Sequence, residues 1–88
     1  MSVYWQIAKQ GQQLIVETAD RKERVGMVRE TRSGFDALAV TFGYEPGRAR
    51  RDMESMEEAK AFVESFEPWS LYLDEENVCV EPDIRTIS

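Results

Sequence analysis

Apolar and polar residues alternate with a period of two through the first half of the chain, then switch to the period of a helix. Val3, Trp5 and Ile7 alternate with Tyr4 and Gln6, the signature of a half-buried strand. A turn at Gln10-Gly11-Gln12 leads to a second strand around Leu14, Ile15 and Val16. Val25, Met27 and Arg29 alternate with Gly26, Val28 and Glu30 in a third strand. Thr31-Arg32-Ser33-Gly34 is a turn signal, with Gly34 free to take positive φ. Phe35 to Phe42 is the strongest strand. Its Leu38, Val40 and Phe42 face is the more apolar and is expected to point inward. Glu45-Pro46-Gly47 closes a turn, and Arg48 to Met53 returns as an edge strand, where three arginines discourage unwanted pairing.

The helix follows. Ser55-Met56-Glu57-Glu58 matches a capping box, and Ala59, Phe62, Val63 and Phe66 form one apolar stripe. The helix is expected from Met56 to about Glu67, because Pro68 prevents continuation. Beyond it, Trp69, Leu71 and Leu73 alternate with Ser70 and Tyr72. Asp74-Glu75-Glu76-Asn77 is a polar turn before Val78-Cys79-Val80.

These elements predict an α+β fold: an antiparallel sheet of four or five sequential strands packed on one helix, with a short C-terminal strand or hairpin. Residues 1–88 form a single small domain, frayed from about Glu81. The expected core is Trp5, Ile7, Leu14, Val16, Val25, Met27, Leu38, Val40, Phe42, Ala59, Phe62, Val63, Phe66 and Leu71, with Trp69 closing one end.

Composition narrows the chemistry. The chain has no histidine, so it lacks the commonest general base and transition-metal ligand. One cysteine, Cys79, excludes an internal disulfide and a thiolate zinc site within one chain. Set between Val78 and Val80, it is expected to be a small buried hydrophobe. Neither G-x-G-x-x-G nor G-x-x-x-x-G-K-[ST] occurs. The chain is therefore expected to be non-enzymatic and to use no cofactor or metal. No apolar run reaches the length of a membrane span, and no signal-peptide pattern opens the chain. With a single cysteine, this predicts a reducing cytoplasm.

Charge changes the picture most. Residues 1–51 carry nine bases and six acids, and residues 52–88 carry two bases and eleven acids, which gives the net charge of −6. Net charge of this kind bears on association, not topology. Two surfaces are candidates. The first is acidic: Glu57, Glu58 and Glu64 of the helix with Asp74, Glu75 and Glu76 after it. This points to a small protein-binding accessory or regulatory module whose partner has a basic surface. A sharper form is an inhibitor occupying a basic nucleic-acid-binding groove, because spaced carboxylates imitate backbone phosphates. The second candidate is nucleic-acid binding through Arg48, Arg50 and Arg51, whose planar forks suit phosphate. A third reading is a structural homodimer formed through an open sheet edge.

Overall fold

The computed structural model describes residues 2–40, 46–73 and 78–86. Five strands, β1 (Ser2–Ala8), β2 (Gly11–Glu17), β3 (Lys22–Glu30), β4 (Phe35–Ala39) and β5 (Ala49–Met53), form an antiparallel sheet in sequential order. One helix, α1 (Met56–Ser65), covers one face. The fold is the α+β arrangement that the alternating pattern predicts. Short 3-10 turns occupy Pro46–Arg48 and Pro68–Leu71.

Each turn has a local cause. Ala8 pairs with Gly11, so the first hairpin turns at Lys9-Gln10, slightly earlier than expected. At the third hairpin the Thr31 N–H donates to the Gly34 carbonyl at 2.7 Å, and Gly34 sits at φ 150°. In α1, Ser55 Oγ accepts the Glu58 N–H at 3.1 Å, the cap that its sequence predicts. The helix ends at Ser65, shorter than expected, and Glu67 turns left-handed at φ 47°. Pro68 then starts a 3-10 turn where alternation predicts a strand. Trp69 and Leu73 are buried but Leu71 only half so.

The sheet face under α1 differs from the expected one on β4. Ala37 and Ala39 are buried and Phe35 packs beside them, while Leu38 and Val40 stay half-buried. Phe42 lies outside the described residues. The reason is steric: a helix seats closest on small side chains. Leu14 and Ala39 flank Gly26 in the ladder, all three beneath α1. A Cβ built on Gly26 would stand 2.4 Å from Val63 Cγ1.

On β3, Val28 replaces Met27 in the core. Leu14 pairs with Gly26 but Ile15 pairs with Arg24, so Val25 has no opposite residue. This bulge resets the alternation and lets both Val25 and Val28 be buried. Ile7 is the remaining misplaced core residue, at 40% exposure. Cys79 is also exposed, because Val78 and Val80 turn toward the core and put it outward.

The C-terminal segment, in the stretch expected to fray, runs along the free edge of β1. Val3 O accepts the Glu81 N–H, Trp5 O accepts the Arg85 N–H, and the Ile7 N–H donates to Arg85 O, each at 2.8 Å. Gln6 and Arg85 thus form one parallel bridge. On the far face the Arg85 guanidinium lies 3.8 Å from the Tyr4 ring centroid and is held by Glu81 at 2.8 Å. The Tyr4 hydroxyl donates to Glu17 at 2.5 Å. That bond holds the Glu17 carboxyl below its ordinary range.

Gly26→Ala is expected to cost about 1–3 kcal/mol, because stiff, buried Val63 cannot yield. Val63→Ala in the same chain should recover part of this, in a coupling read by urea denaturation of both single variants and the double. Additive losses would contradict the close approach. Burial, then the bond to Glu17, push the Tyr4 phenol from 10.0 up to about 12. Its folded pKa lies above the unfolded one, so its contribution to stability is complete below pH 10.0 and is lost as pH rises toward about 12. Absorbance titration at about 295 nm should show one late phenol step that Tyr4→Phe removes. Loss of an ordinary step instead would contradict the assignment.

Candidate functional site

Where α1 lies on the sheet creates the site. The helix crosses β4 and β3 and touches β5 only lightly. Trp69, Leu73, Val78 and Val80 complete the core beyond it. Between α1 and the β1–β2 edge an open cleft of about 630 Å³ remains. Gln12 and Trp69 line it from within, Glu57, Lys60 and Glu64 from the helix, and Ile84 from the C-terminal segment.

The helical period brings the charged residues together. Glu57, Lys60 and Glu64 are spaced three and four apart, so they share one flank of α1 above its buried Ala59–Val63 stripe. The Trp5 Nε1–H donates to Glu64 Oε2 at 3.1 Å, tying the helix flank to β1. The Lys60 ammonium sits 5.1 Å from the Trp5 ring centroid. Burial pushes the Lys60 pKa down, partly opposed by Glu64 and Glu57.

Gln12 is the anomaly. It points to the helix side of the sheet, beside Ile7 and Val28 in the ladder, and is only 7% exposed. Its Oε1 is buried and has no hydrogen-bond partner among the described residues. Native structures leave few such atoms unpaired. Sequence reasoning missed Gln12, because the Gln10-Gly11-Gln12 stretch reads as a turn, whereas Gln12 is the second residue of β2.

The predicted acidic residues separate. Glu57 and Glu64 line the cleft, while Glu58 faces solvent on the other flank of α1. Asp74, Glu75 and Glu76 lie outside the described residues. The arginines separate too. The Arg50 guanidinium turns to the helix side, 5.7 Å from the Phe62 ring centroid, while alternation sends Arg51 toward the opposite face. Arg50 and Arg51 still border a smaller hollow of about 260 Å³ with Met27, Leu38 and Asp36. Arg48 closes the 3-10 turn before β5.

No family model, curated protein or solved structure matches the chain. Its own residues must therefore carry any functional reading. Among the described residues, no group of three or more acidic or cysteine side chains is placed to hold a metal ion. No helix among them is long and apolar enough to cross a membrane.

Glu64→Ala should cost about 1–2 kcal/mol by leaving the buried Trp5 N–H unpaired, and Glu64→Gln, which keeps an acceptor, should cost less. Both should lower the Lys60 pKa further, since each removes a charge that favours the ammonium. Denaturation and an NMR titration of the lysine side chain measure these effects. A Lys60 pKa that stays fixed would show that its ammonium does not sense Glu64.

Proposed function

We propose that the protein is a small, non-enzymatic binding module that meets a basic partner with the acidic side of α1. Glu57 and Glu64 on the cleft flank of α1 and Glu58 on its other flank make the described part of that acidic side, and Asp74, Glu75 and Glu76 join it on sequence grounds. A partner groove that normally holds nucleic acid suits such a surface, because its cationic side chains are spaced for phosphates.

The observation that supports this most is that Lys60 is the one cation shown to sense the acids of α1, through Glu57 and Glu64, among the described residues. Among the described residues, Glu57 and Glu58 are exposed and in no ion pair. Arg50 and Arg51 of β5 do not pair with them either. Charge left unmatched inside the fold is available to steer association. The alternative, nucleic-acid binding through Arg48, Arg50 and Arg51, has less support: Arg50 and Arg51 alternate across β5 and do not build one face. A homodimer through the β5 edge is also less favoured, because Arg50, Arg51 and Asp52 expose charge there.

The test is affinity capture from host lysate, with and without nuclease, by the wild type and by Glu58→Lys/Glu67→Lys. Both substituted residues are exposed and lie outside the cleft lining. The expected result is one stoichiometric protein that survives nuclease, elutes with salt and is largely lost with the variant. Capture that the variant leaves unchanged would contradict the proposal, and capture that vanishes with nuclease would favour the arginines.

A further inference from the structure

The sheet face turned away from α1 carries its own chemistry. Gln13, Met27, Leu38 and Ala49 stand side by side across β2, β3, β4 and β5. Met27 and Leu38 are half-buried and Ala49 is exposed. Cations flank this row. On one side Arg29 faces Asp36 across the ladder, and the β5 bulge sets Arg51 beyond it. On the other side Arg24 stands opposite Ile15. Two hollows of about 260 and 340 Å³ adjoin at Met27 and Arg29, and Lys9 lines the second. Asp36, the acid in the arginine row, is engaged. Its Oδ2 lies 3.5 Å from Arg29, and its Oδ1 accepts the Asp52 N–H at 3.1 Å. Among the described residues, Lys9, Arg24 and Arg51 are in no ion pair, and no α-helix covers this face.

An apolar row between cations fits an extended chain that alternates in the same way. We propose that this face receives an extended acidic segment of a protein partner, with an apolar side chain on Met27 and Leu38 and carboxylates on the arginines at either side. Side chains two apart in an extended chain share one face about 7 Å apart, the spacing of successive same-face residues in the sheet beneath. A Glu-x-Leu-x-Glu pattern laid along the strands sets its leucine on the apolar row. Its glutamates then meet Arg24 at one end and Arg29 and Arg51 at the other. Arginine forks hold carboxylates through paired hydrogen bonds, and methionine adapts to a varied guest. Nucleic acid fits less well, because its single strands are held by stacking on aromatic rings. Tyr4, the aromatic residue described on this face, is 1% exposed and lies under Arg85. The sheet itself separates this face from the acids of α1. The inference therefore goes beyond the acidic-side reading and does not depend on it.

The arginines and Asp36 make demands of opposite sign, which makes the proposal testable. The full 88-residue chain is titrated at low salt with the blocked peptide Ac-Ser-Glu-Ser-Leu-Ser-Glu-Ser-NH2. NMR follows the Met27 and Leu38 methyls and the Arg29 and Arg51 Nε–H signals. Saturable shifts are expected at these groups and not at the Trp5 and Trp69 indoles of the other layer. The counterpart with lysine in place of both glutamates should bind more weakly. Arg29→Gln/Arg51→Gln should weaken binding about tenfold, the loss of two exposed charge contacts. Asp36→Asn should tighten it several-fold, because the amide oxygen still accepts the Asp52 N–H while the like charge is gone. Unchanged indole signals report that each variant is folded.

Absent shifts, equal binding of the lysine peptide, weaker binding to Asp36→Asn or unchanged binding to Arg29→Gln/Arg51→Gln would overturn the proposal. Tighter binding of a thymidine oligonucleotide at the same groups would overturn it in favour of nucleic acid. Shifts there that follow the protein's own concentration without peptide would overturn it in favour of a second copy. The acidic-side reading fails separately. Glu58→Lys/Glu67→Lys leaves this sheet face intact, whereas Arg29→Gln/Arg51→Gln leaves the acids of α1 intact. Loss of partner capture in the first, with no peptide on the sheet, would remove only this inference. A peptide seated on the sheet, with capture indifferent to Glu58 and Glu67, would remove only the acidic-side reading.

Discussion

The rest of the structure depends on the close seating of α1 over β3 and β4. Gly26, Ala37 and Ala39 on the sheet and Ala59 on the helix leave little side-chain bulk between the two layers, and Val63 fills the space above Gly26. Packing at this density fixes position as well as contributing burial, because a stiff β-branched side chain over a glycine leaves few alternative seats. Since α1 is drawn to the strands with the smallest residues, it does not extend across β1 and β2. The cleft is the consequence. Gln12 and Ile7, which face the same side as Leu14, are left beyond the reach of the helix.

The second half of that face is closed by other means. Trp69 follows a helix stop made of left-handed Glu67 and Pro68. Val78 and Val80 lean on the core, and the chain then runs beside β1 with Arg85 reaching over Tyr4. The edge of β1 is thereby covered, while β5 is left as the open edge and carries charge where pairing would otherwise be invited. Aromatic side chains join the two halves through polar tips as well as faces. Trp5 serves β1, α1 and Lys60 at once through its ring and its single N–H donor.

Strand order, the helix and its Ser55 cap were legible because each rests on a local rule: alternation, turn residues, a capping pattern. The inward face of β4 was not. Leu38, Val40 and Phe42 make the more hydrophobic set, but the distance between layers favours Ala37 and Ala39, and distance is invisible to alternation. Met27 lost its expected place for a related reason. The unpaired Val25 shifts the phase of β3, and a bulge depends on the opposite strand. The candidate site was half legible. Charge bias marked Glu57 and Glu64, yet Lys60 and Gln12 acquire meaning only when β2, α1 and the C-terminal segment converge. The three arginines looked like one cluster in sequence and became two directions in a strand.

The measurement that tests this account most directly is a methyl-resolved NOESY spectrum centred on Val63. The account requires strong cross-peaks from the Val63 methyls to the Gly26 Hα protons and to the Ala39 methyl, with none to the Leu38 methyls. That pattern places the small-residue face under α1 and leaves Gln12 at an open cleft. Contacts from Val63 to Leu38 in place of Gly26 would put the opposite face inward. They would also remove the cleft that Glu57 and Glu64 line.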